Sequence, residues 1–185
     1  MSWLRSTELR AIALAVAVAL LAPAALAQNA APKDAPEKGM SGGCESFKWP
    51  LDKERAAFDA PGLERTASGA ARGPLTEQAF ALTLVPAKDV VFTIPPAKKK
   101  NDGFGGLVAF AAPEKPGVYQ VTLSGEGWID LVQEGKAVRT SDHTGAKNCP
   151  GLRKSVRFML GATSVVLQIS DAVADTIKVG IHPVE

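Results

Sequence analysis

The densest set of chemical groups lies between Ser141 and Pro150, SDHTGAKNCP, where a carboxylate, an imidazole, an ammonium, an amide and a thiol share one connection. Connections carry function more often than the strands they join. Asp142 and His143 are adjacent, however, and adjacent residues on a strand end point to opposite sides. A metal ion needs ligands that converge from several places. The other histidine, His182, lies 39 positions further on, and no H-x-H, H-x-D or HExxH pattern accompanies either one. A metal held by His143, His182 and one carboxylate is arithmetically open. The simpler reading has His143 capping a loop and His182 on a terminal strand. Arg153 and Lys154 follow the stretch closely. We therefore take His143, Arg153 and Lys154 as candidate ligand-binding residues that attract an anionic group near Cys149, with Asp130 as a partner for one of them. No catalytic residue and no metal ligand is assigned.

Other chemistries lack their residues. There is no GxSxG elbow for a serine nucleophile, and Ser124 stands in the turn sequence LSGEG. Glu126, Asp130 and Glu134 could suggest a glycosidase pair. Residues four apart on a strand lie roughly 13 Å apart, beyond the ~5–9.5 Å that such pairs use. No phosphate loop or dinucleotide fingerprint is present. Trp128 opens an apolar strand and reads as a core or rim aromatic, with a stacking platform as the alternative. Trp49 reads as a lid on the body, with sugar stacking as its alternative.

These groups must be positioned by short strands. Period-two alternation runs through Phe80–Leu84, Leu107–Ala112, Val118–Leu123, Trp128–Gln133, Ala137–Thr140 and Lys154–Leu160, then through Val165 to Ile169 and Ile177 to Ile181. Val90–Ile94 reads as a further short strand closed by Pro95-Pro96. In the strand from Val118, Gln120 and Thr122 share one face, and Tyr119, Val121 and Leu123 share the other. Glu134-Gly135 reads as a tight turn. Lys98 to Gly103 reads as a solvated loop tip, and residues 62–78 as a loop or irregular edge crossing. Pro50, Asp52 and Glu54 suit the start of one short helix over 51–59, stopped by Pro61-Gly62. Leu51, Arg55 and Phe58 fall on one side of it. The expectation is an all-β antiparallel sandwich or jelly roll of about eight to nine short strands with one short N-terminal helix.

The chain has 185 residues. Residues 1–27 combine a basic start, an apolar run from Ala11 to Leu21 and an A-x-A exit, the pattern of a signal peptide. Residues 28–43 are rich in Pro, Gly, Ala and charge and read as a disordered leader. The sandwich domain would occupy 44–185. Removing residues 1–27 takes away Arg5, Arg10 and Glu8, so the formal charge falls from +2 to +1. So even a balance argues against nucleic acid or an anionic membrane surface as partner. Two cysteines in an exported chain read as one disulfide, Cys44–Cys149, with a reactive thiol pair as the alternative, which the wide spacing disfavours and Arg153 and Lys154 near Cys149 leave open. The disulfide closes a loop of about 105 residues, a contribution of ~4–5 kcal/mol in the chain-entropy account. The expected setting is the periplasm or the exterior, and the expected partner a small molecule or an envelope protein.

Gly117 to Tyr119, Trp128 to Asp130, Gly135-Lys136 and the C-x-G-x-R-K run from Cys149 to Lys154 together resemble a group of short secreted bacterial proteins, over roughly residues 44–184. Some members of that group carry the name homogentisate 1,2-dioxygenase. Under that name the resemblance implies an iron-dependent ring-cleaving oxygenase whose iron is held by two histidines and a carboxylate. His143 and His182 would then have to meet. Without that name no cofactor is expected. The hairpin also resembles the jelly-roll domains that follow secreted peptidases.

Overall fold

The computed structural model describes residues 42–98 and 102–184. The signal-peptide reading, the leader up to residue 41 and the Lys99–Asn101 part of the basic loop tip lie outside the described residues. The description begins just before the disulfide, with the Gly42 carbonyl accepting from the Asn148 amide at 3.2 Å.

One helix, α1 (Asp52–Asp59), precedes twelve strands among the described residues. They are β1 (Arg65–Ala67), β2 (Ala71–Pro74), β3 (Gln78–Thr83), β4 (Val85–Pro86), β5 (Phe104–Ala111), β6 (Gly117–Leu123), β7 (Trp128–Gln133), β8 (Lys136–Ala137), β9 (Thr140–Gly145), β10 (Lys154–Leu160), β11 (Val165–Ala172) and β12 (Thr176–Pro183). Sheet 1 has the order β1-β3-β12-β6-β10-β9. Sheet 2 has the order β2-β5-β11-β7-β8, with β4 paired to β5. The two make an all-β sandwich.

The long strands form where period two places apolar side chains on one face. Tyr119, Val121 and Leu123 of β6 share the core with Val156, Phe158 and Leu160 of β10 and with Ile177, Val179 and Ile181 of β12. Val108, Leu131, Leu167 and Ile169 meet them from sheet 2. Each such side chain contributes roughly 1.5–3 kcal/mol on burial. Phe80 is fully buried, its ring centre 6.3 Å from that of Phe110.

Four readings are corrected. The sheets are mixed, because β1 runs parallel to β3 and β2 parallel to β5. Residues 62–78 are therefore not a plain loop. They supply both of these short edge strands, too brief to show alternation. Val90–Ile94 is not a strand. Its amides at Thr93 and Ile94 are taken by the Gln168 side chain, at 2.6 and 3.2 Å, instead of by a neighbouring backbone. Ala137–Thr140 is not continuous. The chain leaves sheet 2 after Ala137 and enters sheet 1 as β9, so Ser141–Gly145 is strand and not loop. The Glu134-Gly135 turn is as expected, with φ of 51° and 72°, the positive pair that a two-residue hairpin needs.

Each sheet also has an outer face, and a length of chain covers part of each. Residues 44–60 form a strap over sheet 1. The Cys44–Cys149 disulfide joins it to the segment between β9 and β10. Leu51 and Phe58 pack there with Ala146, Cys149 and Leu152. Gly180 of β12 has no side chain where α1 crosses. A Cβ there would lie 3.3 Å from Phe58 and 3.4 Å from Glu54. Residues 90–98 form an arm over sheet 2. Gly105 lets Phe92 lie close to β5, since a Cβ would meet its ring at 2.9 Å.

Candidate functional site

Two polar clusters stand out, one under each covering segment. The first surrounds Trp128. Register places Trp128 opposite Ser170 and Asp130 opposite Gln168. Cross-strand partners share a face, so all four side chains project under the arm. Gln168 holds Thr93 and Ile94, Ser170 donates to the Lys98 carbonyl, and Asp130 accepts from the Ala97 amide at 3.2 Å. This delivers Lys98 to Trp128, with the ammonium 4.6 Å from the ring centre. Lys154, the first residue of β10, brings a second ammonium to 4.7 Å. Arg153 lies beside it, 3.5 Å from Glu126. Lys98, Glu126, Gly127, Trp128, Arg153, Lys154 and Asp171 line a notch of about 110 Å³.

The indole Nε1–H of Trp128 is committed to Asp130, at 3.0 Å. Burial pushes the Asp130 carboxyl up, against the hydrogen bonds from Ala97 and Trp128. Cation–π contacts of this kind contribute ~0.5–1 kcal/mol where water reaches them. Three cations and two carboxylates line the notch, and the Asp130 carboxyl lies beneath it. The notch has room for a carboxylate, sulfate or phosphate group.

Of the four expected residues, the structure brings Arg153 and Lys154 into this notch. Asp130 lies beneath it. Its oxygens accept from Trp128 and Ala97. His143 is not part of it. It is exposed on the edge strand β9, opposite Val156, with its amide on the Asp142 carboxylate at 2.7 Å. Lys98 and Trp128 complete the notch. Lys98 was hidden in a run that reads as a solvated tip, and Trp128 in a strand that reads as core.

The second cluster lies on the outer face of sheet 1. His182, Gln120, Arg157 and Asp142 stand in one row across β12, β6, β10 and β9. Glu54 descends from α1 into this row and is 3 % exposed. Its Oε1 accepts from Gln120 Nε2, from Thr122 Oγ1 at 3.1 Å and from His182 Nε2 at 3.0 Å. The other ring nitrogen, Nδ1, faces the Pro183 carbonyl at 2.9 Å. Only an imidazolium donates through both nitrogens. The hydrogen bond to Glu54 accordingly raises the His182 pKa against the effect of burial. Burial alone would raise that of Glu54, but the bonds from His182 and Gln120 prevail and hold it below its ordinary value. Arg157 Nε donates to Gln120 at 3.0 Å, and its guanidinium lies 3.9 Å from the Trp49 ring centre. Trp49 thus packs as a lid over the row, as expected. Lys48 closes the row on Asp142 at 2.7 Å. The Lys48 hydrogen bond holds the Asp142 carboxyl below its ordinary value.

In the sequence Glu54 stands out only as a favourable charge at the start of a helix. Its i, i+4 spacing to Phe58 was the available signal that it faces inward. The two histidines do not meet. His143 is in phase with Val156, a core position, and His182 with Gln120 on the opposite face. Three strand spacings, about 14 Å, separate their strands. Among the described residues no group of three His, Cys, Asp or Glu side chains is placed to hold a metal ion.

Compared with protein-family models, with curated proteins and with solved structures, the chain matches none.

Proposed function

We propose that this protein is a non-catalytic binding or accessory module of the cell envelope, exported to the periplasm or beyond, which takes a small anionic ligand at the Trp128 notch. One observation carries the reading: two lysines from distant parts of the chain, Lys98 and Lys154, meet at one indole, with Arg153 beside them. Cations brought together at a concave surface raise the local concentration of anions. Asp130 is the positioning residue, since it fixes the ring and the end of the arm together. The disulfide suits an oxidising compartment. No helix among the described residues is long and apolar enough to cross a membrane. An even overall charge favours a small ligand over a polyanion.

The test is a titration of the mature protein with phosphate, sulfate and a short dicarboxylate, followed through the indole N–H resonance of Trp128. We expect saturable movement of that resonance with at least one of the three. Lys98→Gln and Lys154→Gln should each weaken it. No movement up to about 10 mM, where binding would contribute less than about 3 kcal/mol, would remove the proposal.

A further inference from the structure

The strap is tied to the body by a disulfide whose two ends differ. Cys44 is exposed, whereas Cys149 is 7 % exposed. Arg55 of α1 reaches back over both. Its Nη2 lies 3.3 Å from the sulfur of Cys44 and 3.2 Å from that of Cys149, while Nη1 donates to the Pro150 carbonyl at 3.3 Å. Beside them is a cavity of about 320 Å³, with Cys44, Phe47, Trp49, Leu51, Arg55 and Leu152 in its wall. A bond that only closes a loop is best left in apolar surroundings, where a thiolate is disfavoured. A guanidinium on both sulfurs does the reverse. It stabilises whichever thiolate forms, and a thiol of lower pKa leaves faster.

We infer that Cys44–Cys149 is a thiol–disulfide exchange site for a dithiol protein, independent of the notch at Trp128. The geometry assigns the roles. Cys44, exposed and in the cavity wall, is the sulfur attacked. Cys149, buried and against Arg55, is the leaving group. The thiolate of the partner forms a bond to Cys44 Sγ. The bond to Cys149 breaks, and its electron pair remains on Cys149 as a thiolate held by Arg55. The second thiolate of the partner then attacks its own sulfur in the mixed disulfide and releases Cys44. Two electrons pass to this chain, the partner ends as a disulfide, and its two thiol protons balance the two cysteines. The cavity, whose wall also carries Glu45, Lys48 and Asp52, receives the partner residues that flank the attacking thiolate. The product is a strap held by packing and by non-covalent contacts, among them those of Glu54, Lys48 and Arg55.

Reduction of the folded, mature protein by dithiothreitol tests this, with thiols counted against time. The expected rate is first order in dithiothreitol and far above the rate of global unfolding. Arg55→Gln should slow it several-fold, because a leaving thiol of higher pKa departs more slowly. In a Cys44→Ser chain, thiolate absorbance should place Cys149 below the ordinary value of about 8.5, and adding Arg55→Gln should raise it. A rate that saturates at the unfolding rate would overturn the inference. So would an Arg55→Gln effect no larger than its change in stability. If Cys44→Ser does not fold, the order in dithiothreitol for the wild-type chain decides alone.

Discussion

Replacing Glu54 by Gln keeps the shape of the side chain and removes one charge from the pair with His182. Glu54 Oε1 is the shared acceptor of three donors, and the glutamate side chain is 3 % exposed. Breaking a buried pair by removing one partner costs about 3–5 kcal/mol. His182 keeps 17 % of its side chain exposed, so the lower end applies, about 3 kcal/mol. The loss should depend on pH in a definite way. Glu54 is held below its ordinary 4.5, so its contribution is present above 4.5 and lost as pH falls through the lowered value. His182 is raised above its ordinary 6.5, so its contribution is complete below 6.5 and lost as pH rises through the raised value. The penalty of the substitution should therefore be largest between 4.5 and 6.5 and should shrink on both sides. Equilibrium urea unfolding of both proteins across this range measures it. Groups common to both chains cancel in the difference. An equal penalty at pH 5.5 and in the alkaline range would show that charge is not what the pair contributes. A penalty below about 1 kcal/mol throughout would show that the site behaves as surface.

Gly180→Val should destabilise the fold by about 1–3 kcal/mol, because the new side chain meets both Phe58 and Glu54 where α1 crosses β12; thermal unfolding reads this directly. Gln168→Ala removes the shared acceptor for the Thr93 and Ile94 amides. Limited proteolysis should then cut within residues 90–98 before the sheets are attacked, and a cutting pattern like that of the wild type would refute the clamp. Replacing both cysteines by Ala should lower stability by about 4–5 kcal/mol for the loop of 105 residues, read as a lower urea midpoint.

The sandwich was legible because its long strands are amphipathic. In β6, β10 and β12 every second residue is apolar, and those residues are the core. The edge pieces were not legible. Arg65–Ala67 and Val85–Pro86 are too short to hold a period, and their place is set by the strands they join. The parallel pairings have no local signal at all. The site was half legible. Arg153 and Lys154 stand out as adjacent cations just after Cys149. Nothing near Lys98 in sequence tells that Ser170 and Asp130, more than thirty positions away, deliver it to Trp128. Gln120, Thr122 and Ser155 look like solvent-facing positions. They are buried because the strap lies on them.

The order of sheet 1 has a consequence for how the chain reaches its final form. β12, the last strand in sequence, is interior to the sheet, between β3 and β6. Until it inserts, β3 with β1 is one ribbon, and β6 with β10 and β9 is another. Both ribbons keep an open hydrogen-bonding edge. His182, which donates to Glu54 of α1, arrives on the same strand, 128 positions after its partner. Pairings over such distances in sequence are slow to form. A chain that emerges amino end first would therefore carry two unsatisfied edges until the closing strand follows, and this interval is where a holdase would act on it.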